Sequence, residues 1–389
     1  MEKLLFIPSD SIRNEMSRSY YFARYLSEYY QVFQLRWHDT QSLSFENKKK
    51  SKLNTLIYWF KALSTSVRFQ NHPTDRHCWI WIPYMSHMVI YRFIGFTLGT
   101  KLSRKFNKII LSKVIKKIKP DIIFYADGFD KFPYVDTSAL VISDVQDDID
   151  ETNFSYTSYH KEYGRRQFNL TIKNYIVSRA AGERLGKYYQ AEFNYLPNGA
   201  DFKSMQNIDL GKLTELKESL DLADKYVITF IGGDVWFDAA LAEDLFNLAN
   251  NDINNIHFVI VGNVPVTKKL PNVTFIGAVS NKDSYYYYHL SNMGILLKSS
   301  ENSPFLYNSM PLKIVQYSCV NKIFISPPVA WLEEERYTNV LIVENFSAGN
   351  LWSAIKYLKE NEPPIDNRWK DYDWKKIVER IHSDLKNID

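Results

Sequence analysis

Short apolar runs that alternate with helical stretches constrain the fold of this chain most strongly. Within each run the apolar residues are continuous rather than alternating, which is typical of parallel strands buried on both faces of a sheet. A turn signal, Pro197-Asn198-Gly199, closes the first series. In the first half we predict strands at Lys3–Ile7, Tyr30–Arg36, Asp121–Tyr125, Ala139–Ser143, Asn174–Ser178 and Glu192–Leu196, with helices at Ser17–Tyr29 and Arg179–Tyr189.

The same pattern restarts after a polar junction near Phe202–Leu213. We therefore predict an α/β protein with two successive doubly wound units: a first domain over residues 1–205, a second over 206–370, and a C-terminal helix over 371–389 that packs back toward the first domain. Ligands of such sheets bind beyond the carboxyl ends of the strands, so the cleft between two units is the expected site. The predicted strands are Tyr226–Ile231, His257–Val261, Val273–Ile276, Gly294–Leu297, Ile323–Ser326 and Val340–Val343, and the predicted helices are Asp238–Asn250, Leu312–Val320, Gly349–Asn361 and one from Trp374.

Composition excludes several other classes of protein. Apolar residues make up 45% of the chain and charged residues 24%, which excludes collagen-like and disordered chains. Two cysteines cannot form a disulfide framework or a four-cysteine zinc site, and they fit a reducing compartment. The apolar run near the first residue is too short for a signal peptide, so we expect a cytoplasmic protein.

Positive charge is concentrated in one amphipathic segment. Residues 1–205 carry 30 Lys and Arg against 20 Asp and Glu, whereas the remainder carries 18 against 24. The segment Lys101–Lys119 contains no acidic residue, and Phe106, Ile109 and Ile110 begin an apolar stripe at helical spacing. We interpret it as a basic helix at the inner face of the plasma membrane, where it contacts anionic lipid. The predicted membrane contacts are Lys113, Lys116 and Lys117.

A structural interpretation of the same region stays open. The preceding segment Cys78–Thr100 is aromatic-rich, but Pro83, His87 and Arg92 interrupt it, so it is too short to span a bilayer. It is also compatible with a core strand and a buried helix, in which case the lysines form a solvated face. Nucleic acid is not an expected partner, because no zinc-finger spacing or RNA-recognition signature accompanies the lysines.

The second half also carries an ordered series of short motifs: YLPNGAD (Tyr195–Asp201), ITFIGGD (Ile228–Asp234), FVIVG, NVTFIGAVSNKDSYYYYHLSNMGILLKSS and MPLKIVQYSCVNKIFISPP. Over residues 175–385 this series resembles the donor-binding domain of GT-B glycosyltransferases, especially bacterial exopolysaccharide and capsule enzymes near glycosyltransferase family 4. The last motif is similar to that of the xanthan-type glucuronosyltransferase, which also has Lys followed by Gln three residues later. The resemblance implies two Rossmann-like domains facing a cleft, with a nucleotide sugar bound by the second.

The residues themselves also fit a diphosphate donor. Gly232 and Gly233 end a strand before a helix, where unpaired N–H groups can meet phosphate oxygens. Lys313 lies at a helix start and opposes the helix dipole, which favours an anionic partner, and Gln316 follows one turn later, within reach of the ribose hydroxyls. An ordinary turn and a surface lysine are the alternatives. Together with the residues that the resemblance implies, the predicted donor-binding residues are Gly232, Gly233, Asp234, Lys298, Met310, Leu312, Lys313 and Gln316.

One departure from the resembled family bears on the mechanism. Retaining members of family 4 carry two Glu separated by seven residues, but here those positions are Asn308 and Gln316. Inversion therefore gains weight, and inversion requires a general base for the acceptor hydroxyl. In the xanthan-type enzyme that base is an Asp of the first domain. The acidic run after the strand ALVIS supplies our candidates, Asp144 first and then Asp147 and Asp148, with an acidic helix start as the alternative.

No metal is expected. Asp148-Ile149-Asp150 spells the DxD motif of the other large glycosyltransferase fold, but the predicted architecture argues against that fold. The nucleotide sugar is a substrate, so no cofactor is expected either.

The acceptor side is predicted from Ser9–Ser19 alone. Arg13 or Arg18 would meet an anionic acceptor such as a lipid-linked diphosphate sugar, unless they are solvated residues of a helix cap. The sequence thus predicts an inverting hexosyl- or glycuronosyltransferase that moves a sugar, most simply from a UDP-sugar, to a lipid-linked or polysaccharide acceptor in cell-surface glycan synthesis. A nucleotide-sugar epimerase on the same fold and a non-catalytic GT-B scaffold are the alternatives.

Overall fold

The computed structural model describes residues 1–8, 17–37, 66–72, 76–85, 95–126, 129, 131–148, 158–252, 255–265, 270–301 and 303–388. Contacts divide the chain into two compact units. The first consists of Met1–Leu196 together with Val378–Asp389, and the second of Pro197–Ile377.

The first unit is built on an eight-stranded sheet with the order β3-β4-β2-β1-β5-β6-β7-β8. All neighbouring strands are parallel except β3, which pairs antiparallel with β4 at the edge. The central strands are buried almost throughout, as continuous apolar runs require. The strands are β1 (Lys3–Ile7), β2 (Gln31–Arg36), β3 (Arg68–Asn71), β4 (Cys78–Trp81), β5 (Ile122–Ala126), β6 (Leu140–Val145), β7 (Lys173–Ile176) and β8 (Asn194–Tyr195).

Four described helices belong to this unit: α1 (Arg18–Leu26), α2 (Phe96–Ile118), α3 (Ser158–Phe168) and α4 (Arg179–Tyr189). Ser17 caps α1 and Ser178 caps α4, each by accepting a hydrogen bond from a first-turn amide. The apolar face of α2 joins the core through Leu111, Val114 and neighbouring residues. Because a helix that follows a parallel strand starts near that strand's carboxyl end, the first residues of α1 lie at the carboxyl edge of the sheet.

The second unit is built on a six-stranded, entirely parallel sheet with the order β11-β10-β9-β12-β13-β14. Its strands are β9 (Tyr226–Ile231), β10 (Ile256–Val261), β11 (Val273–Gly277), β12 (Met293–Ile295), β13 (Ile323–Ser326) and β14 (Val340–Ile342). Its described helices are α5 (Phe202–Gln206), α6 (Leu210–Ser219), α7 (Ala239–Asn251), α8 (Asn281–Leu290), α9 (Pro304–Tyr307), α10 (Leu312–Cys319), α11 (Ala330–Glu335), α12 (Ala348–Glu360) and the start of α13 (Trp374–Lys386).

The later part of α13 belongs to the first unit. There His382 Nδ1 lies 2.9 Å from the hydroxyl of Tyr30, and Asp384 accepts a hydrogen bond from the hydroxyl of Tyr175 at 2.8 Å. These contacts join the end of the chain to β7 and to the start of β2.

The predicted α/β class with two parallel sheets is confirmed. The strand β3 escaped prediction, because it is exposed along its whole length and has no apolar pattern. The helices α3, α5, α6, α8, α9 and α11 were not predicted either. Ile109, a member of the apolar stripe of the basic helix, is 49% exposed.

Candidate functional site

A glycine loop lies at the carboxyl edge of the second sheet, where β9 ends. The amide of Gly232 donates to the carbonyl of Val261, and Gly262, which follows β10, has a φ of 134°. A Cβ added at Gly262 would lie 1.7 Å from the carbonyl oxygen of Gly232, so no other residue fits there without moving the backbone. Gly262 thus allows the two loops to pass in contact.

The glycine loop continues into a short 3-10 helix, Asp234–Trp236, that is tied to the loop after β12. The amide of Leu297 donates to the carbonyl of Trp236, and the amide of Asp238 donates to the carbonyl of Leu297. This pairing brings the backbone of Lys298 to the same edge, while Gly233 and Asp234 stay exposed to solvent.

Lys313 comes to this loop from the first turn of α10. A Cβ added at Gly232 would lie 3.9 Å from the Cε of Lys313, so the lysine side chain runs alongside the glycine loop. The surrounding protein desolvates the ammonium group and lowers the pKa of Lys313 to about 8, although part of the side chain still reaches solvent. Among the described residues no carboxylate pairs with this lysine. An anion bound at the loop would supply the missing countercharge.

Gln316 follows Lys313 by one turn on the same side of α10. Its Oε1 accepts a hydrogen bond of 2.5 Å from the hydroxyl of Tyr288, a fully buried residue of α8. The Nζ of Lys313 lies 6.0 Å from the centroid of the Tyr288 ring. Tyr288 therefore contacts both side chains from within the core, and it is absent from the predicted donor-binding residues.

Met310 and Leu312 precede and begin α10. Met310 is buried, and Asn198 holds it twice: the amide N–H donates to Sδ at 3.1 Å and Nδ2 donates to the main-chain carbonyl at 3.0 Å. The Pro197-Asn198-Gly199 turn thereby fixes the segment that leads into α10. Pro311 is the N-cap of α10 and supplies no side-chain hydrogen bond to the first-turn amides.

At the carboxyl end of β6 in the first unit, the predicted base Asp144 forms a buried ion pair with the predicted acceptor residue Arg18. Arg18 Nε donates to Oδ2 at 2.8 Å and Nη2 donates to Oδ1 at 2.6 Å. The same Nη2 also donates to the carbonyl of Leu196 at 2.8 Å. Both charged side chains are almost completely buried. Arg18 thus connects β6 to Leu196, where the segment Met1–Leu196 of this unit ends.

The other two carboxylates differ in exposure. Asp148 is buried and accepts a hydrogen bond of 2.6 Å from Nη1 of Arg184 in α4. Asp147 is exposed to solvent. Desolvation by the surrounding protein raises the pKa of Asp147, with a further increase from Asp148 and a decrease from Arg18, and solvent at the exposed side chain limits the shift.

The predicted acceptor residue Arg13 lies outside the described part of the chain, as does Asp150 of the DxD triplet. Within the described residues, no group of three or more His, Cys, Asp and Glu side chains could hold a metal ion.

The basic helix α2 presents lysines and apolar residues together. Lys113, Lys116 and Lys117 are all exposed. Among its described side chains, the same helix exposes the large apolar residues Leu98 at 58%, Leu102 at 46% and Ile109 at 49%. Positions 98, 102, 105, 109, 113 and 116 follow one side of an α-helix, so the apolar residues and several lysines share a face. None of the described helices is long and apolar enough to cross a membrane.

Comparison with solved structures places this fold among glycosyltransferases. HepE of Anabaena in complex with UDP has a TM-score of 0.63 at 12% identity, covering 99% of this chain and 100% of HepE. A UDP-forming trehalose-phosphate synthase of Burkholderia xenovorans has a TM-score of 0.65 at 10% identity, covering 100% and 99%. Sucrose-phosphate synthase of Thermosynechococcus elongatus has a TM-score of 0.61 at 12% identity, covering 98% and 94%.

The sequence itself matches no protein-family profile and no curated protein. The similarity is thus one of structure: the chain has the GT-B fold of glycosyltransferases, with two Rossmann-like units.

Proposed function

We propose that this protein is a glycosyltransferase that transfers a sugar from a nucleotide sugar, a UDP-sugar, to an acceptor hydroxyl. The observation that carries the proposal is the position of Lys313, a largely enclosed lysine whose side chain runs along the glycine loop at the carboxyl edge of the second sheet. A cation beside a solvent-exposed glycine loop, at the start of a helix, is an arrangement that suits a diphosphate. HepE, which shares this fold at 12% identity, binds UDP, and this supports uridine as the nucleoside.

The donor is assigned to the second unit. Gly232, Gly233 and the first turn of α10 would surround the diphosphate, and Lys313 would neutralise it. During transfer, negative charge accumulates on the leaving diphosphate, and a fixed cation stabilises that charge more in the transition state than in the ground state. Asp234 and Lys298, at the same edge, are the remaining proposed donor contacts, and Met310 and Leu312 would form the apolar side of the site.

The general base is assigned to the first unit, and among the three aspartates we favour Asp147. In an inverting transfer the acceptor oxygen attacks the anomeric carbon, the bond from that carbon to the diphosphate oxygen breaks, and a carboxylate takes the hydroxyl proton. Asp147 is exposed, whereas the oxygens of Asp144 and Asp148 already accept hydrogen bonds from Arg18 and Arg184. A raised pKa also makes Asp147 a stronger base than an ordinary aspartate.

The acceptor is proposed to be lipid-linked or a growing polysaccharide, at an anionic membrane surface on the cytoplasmic side. The support is the mixed face of α2, where exposed Leu98, Leu102 and Ile109 lie among lysines and the helix contains no acidic residue. Apolar side chains that enter the interface and lysines that meet anionic headgroups reinforce each other. Arg13 and Arg18 remain proposed acceptor contacts, although Arg18 is directed toward Asp144.

Calorimetric titration with UDP, GDP, ADP and CMP, each with and without magnesium, tests the donor site. We expect UDP to bind in the micromolar range and independently of magnesium. Lys313→Ala should weaken that binding about tenfold or more, since a charge-assisted contact contributes about 1.5–3 kcal/mol. Lys322→Ala is the matched control, because Lys322 is also half-buried in the same unit but lies after the far end of α10. Failure of all four nucleotides to bind would favour the non-catalytic scaffold.

Vesicle sedimentation tests the membrane surface. Vesicles that contain 30% phosphatidylglycerol should retain the wild-type protein at low salt, and Leu102→Glu should reduce retention about tenfold or more. Leu210→Glu is the control, because Leu210 is 70% exposed but belongs to α6 of the second unit rather than to α2. Equal retention of both variants and the wild type would contradict the proposed membrane contact.

A further inference from the structure

Two adjacent buried tyrosines lie near the proposed donor site, and one of them contacts Gln316. Tyr288 and Tyr317 are both fully buried, with ring centroids 4.7 Å apart in an edge-to-face arrangement. The Tyr317 hydroxyl donates to the carbonyl of Thr229 in β9 at 2.9 Å. The Tyr288 hydroxyl instead donates to Oε1 of Gln316. Each hydroxyl is therefore committed to a different neighbour.

The contact with Tyr288 determines which half of the Gln316 amide can serve a ligand. An amide side chain has a carbonyl oxygen that accepts and an NH₂ group that donates, and free rotation would let either face the site. When Tyr288 donates to Oε1, the oxygen is held on the core side. The NH₂ group is then the half that remains for a ligand, so Gln316 acts as a hydrogen-bond donor.

We propose that Tyr288 is a positioning residue that fixes the amide of Gln316 so that its NH₂ group donates to a ribose hydroxyl oxygen of the bound nucleoside diphosphate. The proposal rests on the proposed function and deepens it. Tyr288 does not touch the nucleotide itself. Its buried ring also lies near Lys313, so one residue supports both the ribose contact and the phosphate contact.

The amide of Gln316 can donate a hydrogen bond to the ribose, whereas a carboxylate at this position could not. A carboxylate only accepts hydrogen bonds, and it would add a negative charge one turn from the diphosphate. An amide locked with its NH₂ outward contacts the ribose without that charge. The site therefore gains ribose selectivity while Lys313 stays available to the phosphates.

The test compares Kd values for UDP and 2′-deoxy-UDP in the wild type, Tyr288→Phe and Tyr317→Phe. In the wild type, 2′-deoxy-UDP should bind about three- to tenfold more weakly than UDP, the effect of one lost hydrogen bond. Tyr288→Phe should reduce this ratio to about one, because the amide can then rotate. Tyr317→Phe removes an equally buried hydroxyl from the adjacent ring and should keep the wild-type ratio, even if its melting temperature falls.

Variants of Gln316 complete the test. Gln316→Leu should also bring the ratio to about one, and the double variant Tyr288→Phe/Gln316→Leu should match Gln316→Leu alone. If Tyr288→Phe or Gln316→Leu keeps the wild-type ratio of Kd values, the positioning role is wrong. If Tyr288→Phe fails to fold, the ratio in Gln316→Leu decides the test. If the wild type binds no nucleotide at all, the proposed function fails instead.

Discussion

Replacing Arg18 with Met is expected to destabilise the first unit by about 3–5 kcal/mol, because it leaves the buried carboxylate of Asp144 without a partner. The described hydrogen bonds of Arg18 include two with Asp144 and one with the carbonyl of Leu196. Hydrogen bonds that involve a charge contribute about 1.5–3 kcal/mol each before relaxation, and water that enters the opened site offsets part of their loss. For a unit of about 200 residues, the expected fall in melting temperature is about 6–20 °C.

Urea denaturation of the full chain measures this change, and hydrogen exchange of peptides from β1 and β6 assigns the transition to the first unit. Arg166→Met is the matched control. Arg166 pairs with Glu162 at 2.9 Å, but the Arg166 side chain is 73% exposed, so its loss should cost less than about 1 kcal/mol.

A double-mutant cycle completes this test. Arg18→Met/Asp144→Leu replaces both charges with apolar groups and should recover about 2 kcal/mol or more relative to the sum of the single changes. If Arg18→Met costs no more than Arg166→Met, the ion pair is not the structural link that its burial indicates.

The remaining predictions concern catalysis, pH and the glycine loop. Asp147→Asn should lower kcat about 10²–10⁴-fold with the UDP Kd within twofold, and a kcat within tenfold of the wild type would remove Asp147 as the base. UDP affinity should fall as the pH rises through about 8, because the pKa of Lys313 is lowered to about 8 by burial and only the protonated amine attracts the diphosphate. Lys313→Arg should keep its affinity to about pH 9.5, and a parallel decline in both proteins would assign the titration to another group. Gly262→Ala should lower the melting temperature and abolish UDP binding, since the new Cβ collides with Gly232. Gly349→Ala is the control, because a Cβ there meets nothing within 4 Å; its UDP binding should be unchanged and its melting temperature unchanged or higher.

Continuous apolar runs made the sheets predictable. The strands β1, β9 and β13 begin and end at the predicted residues, because a strand buried on both faces is apolar at most of its positions. The edge strand β3 has no such requirement and is exposed, so its sequence carries no pattern. The helix α3 was missed because Gly164 interrupts it, and the structure explains this glycine: a Cβ there would lie 2.3 Å from the ring of Tyr189 in α4.

The position of the proposed donor site could be predicted from the sequence, but not all of its residues. Gly232 and Lys313 stand out because glycines after a strand and a lysine at a helix start are unusual locally. Tyr288 does not stand out, since it belongs to a run of four tyrosines in α8. Which of the four reaches Gln316 depends on how α8 packs against α10, and no local pattern encodes that. Gly262 was missed for the same reason, because its neighbour Gly232 comes from a different loop.

The three aspartates at the end of β6 show why residue type alone could not select a base. In the sequence, Asp144, Asp147 and Asp148 are equivalent carboxylates within one acidic run. Arg18, from α1, and Arg184, from α4, separate them, because each arginine comes from a distant part of the chain and pairs with one carboxylate. Each arginine donates to an oxygen of its carboxylate, so that oxygen is already occupied by a hydrogen bond. The same pairing leaves Asp147 exposed, so the arginines, rather than the acidic run, determine which aspartate is available to accept a proton.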